Sequence, residues 1–310
     1  MSRKLGEGAA AGAHENYKGL AMTRRIVLFM LLAFCAFAAL AARYEKTRKQ
    51  VEASMLVTGE LVVAPDGAVK SYTLDHAEAL PPETKQLLAK VIPSWELDVA
   101  KADGNPLASP VAVKMSVQVL AQPLADGRMR VTVRSTAFWD PNTPVPVKAK
   151  GKLTPPEYPL LAARSGVSGI AYVVLRLNPD GTVAETHVER VDMTVLSDEK
   201  TLRKFGKILG KAAADTATRW TFDIAPHRLA DPAPVLVRVP IDFLLAGKDQ
   251  APKVKYGRWN AYVPGTYAPI PWRDRNTDSA DAELGIGAMV PGQIYSTDAP
   301  IKLRGSPAGT

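Results

Sequence analysis

The sequence predicts an α+β protein in which a small unit, an antiparallel sheet with one helix packed across a face, occurs twice after an N-terminal hydrophobic helix. Three observations predict this fold. Three blocks of the first half recur in the same order in the second half, each half has a Pro-Asp-Gly turn between two strand-like runs, and each half then has a helical period that ends at a Trp. Repeats of this length set the number of structural units before single elements are assigned.

The repeated blocks are a turn, a Trp and a final strand-like run. Their offsets are 114, 125 and 124 residues, so the copies differ in length mainly between the turn and the Trp. The corresponding positions are Pro65-Asp66-Gly67 and Pro179-Asp180-Gly181, Trp95 and Trp220, and Pro110 and Pro234.

Length and composition agree with two domains. The chain has 310 residues, of which 46% are hydrophobic, which is enough for two cores of ordinary size. We predict domains over residues 55–140 and 152–246. The net charge of +8 does not indicate a nucleic-acid partner, because the 39 Lys and Arg residues are scattered among 31 acidic residues.

Residues 26–42 are a run of 17 residues without a charge, preceded by a predicted cytoplasmic segment, residues 1–25. As a helix this run is roughly 25 Å long, the lower limit for crossing a membrane. It fits an uncleaved anchor or a cleaved signal peptide with an A-x-A-like site at Ala39 to Ala41. The long preceding segment favours the anchor, and both alternatives place the residues beyond 43 outside the cytoplasm. The only cysteine, Cys35, lies in this run, so no disulfide framework is expected.

Each copy begins with a predicted β-hairpin. The strands are predicted over residues 57–63 and 69–74 in the first copy, and over 172–177 and 183–191 in the second. Between them, the Pro of each Pro-Asp-Gly turn presets φ, and the Gly accepts a positive φ.

A helix follows each hairpin. In the second copy, Ser197 is the predicted N-cap. One helical face is predicted from spacings of three and four residues: Leu202, Phe205, Leu209, Ala212, Thr216 and Trp220. In the first copy, the helix is predicted to begin at Pro81-Pro82-Glu83, with Leu87, Val91 and Trp95 on one face. Both Trp side chains are expected to pack under their sheets.

The last strand of the second copy alternates between apolar and mixed positions. Val235, Val237, Val239, Ile241 and Phe243 form the apolar series, which predicts that this face contacts the helix. Pro240 cannot donate a ladder hydrogen bond, so one side of this strand is predicted to be a sheet edge. In the first copy, an additional strand over residues 128–134 is predicted to cover the equivalent edge.

Residues 153–245 carry an ordered set of motifs. Tyr158-Pro159, Gly166 and Gly169 precede the hairpin, and Trp220-Thr221-Phe222 precedes the last strand. With these motifs the segment resembles the C-terminal domain of TonB-type energy transducers. The first copy has the hairpin, helix, Trp and last strand without the Tyr-Pro and Gly-x-x-Gly lead, so it resembles the same family as a degenerate repeat.

The resemblance implies a function and a partner. It implies a single-pass inner-membrane protein, with the bulk of the chain in the periplasm, that couples an ExbB–ExbD-type proton-driven motor to outer-membrane receptors. It also implies β-augmentation, in which a receptor segment pairs with the last strand. The partner-binding residues carried over are Tyr158, Pro159, Val235, Val237, Val239, Ile241 and Phe243.

The predicted linker favours an alternative function. Residues 43–54 span at most roughly 40 Å when fully extended, and they lack the long Pro-rich rod of a typical transducer. A periplasmic protein-binding scaffold or adaptor without motor coupling would need no such rod.

The remaining segment, residues 247–310, is rich in Pro and large aromatic residues. It fits either a disordered extension or an extended segment that docks on a sheet or partner. We predict no enzyme activity, catalytic residue, cofactor or metal, since the four His residues are isolated and neither a Gly-x-Ser-x-Gly motif nor a P-loop occurs.

Overall fold

The computed structural model describes residues 51–99, 109–124, 129–140, 146–230, 232–245, 256–272, 286–297 and 301–307. The described residues all belong to one compact unit, residues 50–310. The predicted cytoplasmic segment and the predicted hydrophobic helix over residues 26–42 lie outside the described residues. Among the residues that are described, no helix has the length and apolar character needed to cross a membrane.

The described residues form a mixed α+β structure with antiparallel strand pairs. The strands are β1 (Glu52–Val63), β2 (Val69–Leu74), β3 (Glu96–Val99), β4 (Val111–Pro123), β5 (Met129–Trp139), β6 (Val147–Ala149), β7 (Gly169–Leu177), β8 (Val183–Met193), β9 (Phe222–Ile224), β10 (Val235–Phe243), β11 (Asn260–Tyr262), β12 (Tyr295–Ser296) and β13 (Ile301–Arg304). The α-helices are α1 (Pro82–Val91), α2 (Leu160–Arg164), α3 (Glu199–Ala217) and α4 (Pro226–Leu229), and short 3-10 turns span Ala77–Ala79 and Ile92–Ser94.

The same strand order occurs in both halves of the structure. In the first half, β1 pairs with β2 and β4; in the second half, β7 pairs with β8 and β10. The larger sheets have the orders β11–β1–β4–β5 and β12–β10–β7–β8, and β13–β3 and β6–β9 are two-stranded. β1 begins at Glu52, inside the segment predicted as the linker.

The two Pro-Asp-Gly turns hold the strand that follows each Trp. Gly67 and Gly181 have φ values of 94° and 84°. The Gly67 carbonyl accepts a hydrogen bond from the Leu97 amide at 2.8 Å, and the Gly181 carbonyl accepts one from the Phe222 amide at 2.9 Å. A distant strand in each half is therefore attached directly to the predicted hairpin turn.

Replacing Gly181 by Ala is expected to lower the free energy of unfolding by about 3 kcal/mol, from the positive φ and from overpacking. The new Cβ would overlap the carbonyl oxygen of Phe222. Gly151→Ala is the matched control, since Gly151 also has a positive φ, 81°, but has open space within 4 Å of a Cβ. There we expect a loss of about 1–2 kcal/mol from the backbone alone. Equal losses in urea denaturation would contradict the role assigned to the Phe222 contact.

Helix α3 begins one residue later than predicted. Asp198, rather than Ser197, is the N-cap, and its carboxylate accepts hydrogen bonds from the amides of Lys200 and Thr201. A carboxylate both caps the free amides and carries the charge favoured by the helix dipole. In α1, Leu87 is only partly buried, and the buried positions are Thr84, Leu88 and Val91.

Each half has a hydrophobic core of its own between its sheet and its helix. Both Trp side chains lie in these cores, Trp95 with 2% and Trp220 with 6% of its surface exposed. Each indole Nε1 donates to a backbone carbonyl, from Trp95 to Pro307 at 3.1 Å and from Trp220 to Thr154 at 2.9 Å. The bonds connect each Trp to a segment that is remote in sequence.

The predicted additional strand of the first half is present and longer than predicted. β5 runs antiparallel to β4 and covers the edge of β4 that does not pair with β1. In the described parts of the segment after residue 247, β11 pairs with β1, β12 with β10 and β13 with β3. We call these parts the tail. They pair with strands of both halves, as expected for an extended segment that docks on a sheet.

Candidate partner-binding edge

β10 contributes its side chains to the core and its backbone to two neighbouring strands. It pairs along its length with β7. The side chains predicted to form the partner-binding surface are buried, between 0% and 8% exposed: Val235, Val237, Val239, Ile241 and Phe243. They pack in the core that contains α3. A partner that pairs with β10 would therefore contact the backbone of the residues that lie between these buried positions.

The edge-facing backbone groups of β10 belong to its even-numbered residues. The Leu236 carbonyl accepts a hydrogen bond from the Thr297 amide at 3.2 Å, and the Pro240 carbonyl accepts one from Gly292 at 3.0 Å. Backbone direction alternates along a strand, so the odd-numbered residues face β7. Pro240 thus lies with its missing N–H on the edge side, as predicted, and the ladder with β7 is not interrupted.

The tail occupies this edge. Arg238 is the register partner of Tyr295, and the bonds from Gly292 and Thr297 flank this short pairing. Residues 292–297, which we call the edge segment, follow β10 as an added strand would. The predicted docking edge is therefore able to hold a peptide segment by backbone hydrogen bonds, and here the occupant is part of the same chain.

The Tyr158-Pro159 lead lies at the last residue of β10. The Tyr158 ring packs edge-to-face on Phe243 with 5.7 Å between centroids, and its hydroxyl donates to the Val167 carbonyl. Pro159 caps the short helix α2, whose Leu160 and Leu161 are 63% and 49% exposed. Tyr158 therefore contacts Phe243, one of the predicted partner-binding residues. The exposed residues Leu160 and Leu161 follow Tyr158 closely in the sequence.

The second face of this sheet carries buried charges that were not predicted from the sequence. Glu189 and Arg238 form a two-point ion pair in which Arg238 Nη2 and Glu189 Oε1 are 2.7 Å apart. The register shifts between Tyr172 and Val173, which leaves Glu189 as the extra residue of a β-bulge. The Ala268 amide of the tail bonds to the Glu189 carbonyl at 2.7 Å, and Ile270 and Trp272 pack against Val174 and Leu236, so tail residues cover this face.

A second ion pair joins the sheet to the tail. Arg190 donates to Asp192 at 2.9 Å and lies over the Tyr172 ring, and the Gly265 amide donates to Asp192 at 3.0 Å. Burial raises the pKa of the Asp192 carboxyl, and Arg190 opposes this shift. The charged residues Glu189, Arg190 and Asp192 stand close together in the sequence, but charged residues in a strand are also typical of a face in contact with solvent.

Tyr262 continues the polar contacts into the first half. Its hydroxyl donates to Glu52 Oε2 at 2.6 Å and accepts from Gln118 Nε2 at 3.4 Å. Burial and the hydrogen bond to the Glu52 carboxylate both raise the Tyr262 pKa. Arg134 also pairs with Glu52, at 3.1 Å. The tail therefore contacts both sheets through polar groups as well as through strand pairing.

Asp242 near the end of β10 is expected to make stability depend on pH. Its Oδ1 is buried without a hydrogen-bond partner among the described residues, and burial raises its pKa from 3.8 to about 6. The folded state therefore binds the proton more tightly, so this stabilising contribution is present below pH 3.8 and is lost as the pH rises through about 6. We expect Asp242→Asn to remove this dependence and to raise the free energy of unfolding at pH 7 by about 1–2 kcal/mol.

The measurement is urea denaturation between pH 4 and pH 8. Asp180→Asn is a control of opposite sign, because hydrogen bonds from Thr182 lower the Asp180 pKa and its contribution is lost as the pH falls. A wild-type pH profile that Asp242→Asn leaves unchanged would contradict the prediction.

Within the described ranges, no group of three or more His, Cys, Asp or Glu side chains is placed to hold a metal ion. No protein-family model matches the chain, and no curated protein or solved structure matches it. The resemblance to the TonB C-terminal domain therefore stays a prediction.

Proposed function

We propose that this chain is a TonB-like periplasmic protein that couples an inner-membrane proton-driven motor to outer-membrane receptors through edge-strand peptide binding. In this proposal, residues 26–42 are the membrane anchor and the two halves are copies of one TonB C-terminal-like unit. The shared strand order of the halves and their matching Pro-Asp-Gly turn contacts support the duplication.

The observation that carries the proposal is the occupied edge of β10. Three consecutive even-numbered residues, Leu236, Arg238 and Pro240, already pair with the edge segment through their backbones. A receptor segment would bind there by β-augmentation, in which backbone hydrogen bonds supply affinity and side-chain contacts supply specificity. It would have to displace residues 292–297 first. Tyr158, Pro159 and the exposed pair Leu160 and Leu161 would supply side-chain contacts at one end of the bound segment.

A second candidate function is a protein-binding scaffold without motor coupling. The observation that favours it is the short connection, because β1 begins at Glu52, only ten residues after Ala42. Both functions use the same edge, so a binding assay alone does not separate them.

Deletion of the gene, followed by uptake of iron chelates and other receptor-dependent nutrients, separates the two functions. We expect lost uptake, restored by the wild-type chain and not by a chain that lacks residues 153–245, with membrane levels compared by immunoblot. Normal uptake of every receptor substrate in the deletion strain would contradict energy transduction and leave the scaffold function.

A variant of the edge segment tests the role of the edge. Thr297→Pro removes the amide that bonds to Leu236, whereas the control Thr297→Val keeps this amide and replaces the hydroxyl, which also bonds to Leu236, with a methyl group. Since a freed edge lowers the cost of displacement, we expect Thr297→Pro to restore uptake in the deletion strain at a lower protein level than the control does. If equal levels of the two variants are required, the edge segment does not compete with the receptor.

A further inference from the structure

β13 in the tail matches β6 in both sequence and pairing. Ile301-Lys302-Leu303-Arg304-Gly305 follows the same pattern as Val147-Lys148-Ala149-Lys150-Gly151. β13 pairs with β3, the strand after Trp95, and β6 pairs with β9, the strand after Trp220. Their registers correspond residue by residue, with Leu303 opposite Leu97 and Ala149 opposite Phe222.

The residues after these two strands also correspond. Gly305 and Gly151 have φ values of 79° and 81°. A few residues later, the carbonyls of Pro307 and Thr154 accept the indole hydrogen bonds of Trp95 and Trp220. β13 therefore supplies the first half with the element that β6 supplies to the second half.

The order of connection differs between the two cases. β6 precedes its acceptor β9 by about 75 residues, whereas β13 follows its acceptor β3 by about 200 residues. The same strand pairing therefore forms whether the docking strand comes before or after its acceptor strand in the sequence. Recognition must lie in local complementarity, because the linking chain is different in each case. Such independence from the linking chain is the condition for exchanging a strand between molecules.

The complementarity is both apolar and electrostatic. Ile301 is 4% exposed and belongs to the core of the first half, and Leu303 packs against that core. On the outer side, Arg304 pairs with Asp98 and lies 3.8 Å from Glu96. An empty acceptor would expose the unpaired backbone of β3 beside a core, which is a ready template for another strand.

We propose that the groove along β3 is a strand-binding site that accepts β13 from a second molecule of this chain as well as from its own. The ligand class is a short extended segment with alternating apolar and basic side chains followed by a Gly with positive φ. The site lies in the first half and is separate from the edge of β10, so this assembly does not depend on the proposed function.

Disulfide trapping between two full-length variants tests the exchange. Asp98 and Lys302 are register partners and both are exposed. Directly opposed residues in antiparallel strands have Cα atoms about 4.5–5.5 Å apart, within the range a disulfide bridges. The acceptor molecule carries Asp98→Cys and Arg304→Glu, which weakens its own β13 by charge reversal. The donor molecule carries Lys302→Cys, and both carry Cys35→Ser.

We expect a donor–acceptor disulfide dimer on non-reducing gels that increases with concentration after the variants are mixed, warmed and oxidised. Donor Ile301→Asp, which places a charge in the core position, should abolish the dimer. A control acceptor carries Lys200→Cys instead of Asp98→Cys. Because Lys200 is exposed, this acceptor measures how much disulfide dimer forms by random collision. A single chain with both Asp98→Cys and Lys302→Cys should cross-link as a monomer.

Two results would overturn the proposal. One is a dimer yield from the Asp98→Cys acceptor no higher than from the Lys200→Cys acceptor at every concentration. The other is failure of the double-Cys chain to cross-link, which would show that β13 does not occupy this register. Far-UV circular dichroism of each variant checks that it is folded, and the exposed positions of Asp98, Lys302 and Arg304 favour this.

Discussion

Replacing Glu189 by Gln is expected to lower the free energy of unfolding by about 3–5 kcal/mol, because it leaves the Arg238 guanidinium buried without its counter-charge. The Glu189 side chain is 0% exposed and that of Arg238 is 6% exposed. Removing both charges together, with Glu189→Leu and Arg238→Met, should cost much less than the single change, since no unpaired charge remains.

Guanidinium chloride denaturation of the single and double variants measures this coupling. Glu199→Gln is the matched control, because Glu199 pairs with Arg203 on α3 with both side chains about half exposed or more. Exposed pairs of this kind contribute about 0.3–0.5 kcal/mol. A loss in Glu189→Gln as small as that in Glu199→Gln would mean that the Arg238 charge is accommodated by other groups.

Replacing Trp220 by Ala is expected to lower the free energy of unfolding by about 3–5 kcal/mol, the usual cost of removing a large aromatic side chain from a core. Trp220 packs in the core of the second half, and its indole holds the Thr154 carbonyl, four residues before Tyr158. The variant should therefore also loosen the Tyr158-Pro159 lead. Hydrogen exchange of the amides around Tyr158, read alongside urea denaturation, measures both effects.

Trp220→Phe keeps an aromatic ring in the core but removes the indole N–H together with part of the side-chain volume. We therefore expect a loss of about 1–3 kcal/mol, smaller than for Trp220→Ala, from the unpaired Thr154 carbonyl and a small cavity. Faster exchange near Tyr158 should occur in both variants if the hydrogen bond to Thr154 holds the lead. Unchanged exchange in Trp220→Phe would assign that role to the packing of the indole instead.

Features set by local chain chemistry could be predicted from the sequence. The hairpin turns at Gly67 and Gly181 require a positive φ, and the Pro-Asp-Gly motif indicates this directly. The buried face of α3 and the apolar face of β10 follow from side-chain periods of 3.6 and 2. Pro240 marked a sheet edge, because its missing N–H is a property of the residue alone.

The candidate site was only partly predictable. The sequence indicated the strand and the Tyr158 lead, but not that residues 292–297 lie on its edge, since pairing of distant strands depends on backbone groups that every residue carries. The match between β13 and β6 was visible in five residues of sequence. Only the pairing of β13 with β3 shows that this short match has a structural meaning.

By itself, the sequence determined the two hairpins, the helix after each hairpin and the last strand of each half, together with the apolar faces of α3 and β10, because these follow from steric preferences and side-chain periods within a few residues. The tertiary structure alone decided which polar face is buried, which edge is covered and which strand completes the first half. Glu189 and Arg238 are charged residues of the kind expected on a solvated face, yet both are buried, and Ile270 and Trp272 of the tail pack on the same face of the sheet against Val174 and Leu236. The physical reason is that burial and strand pairing are set by contacts between residues far apart in the chain, which no local pattern records.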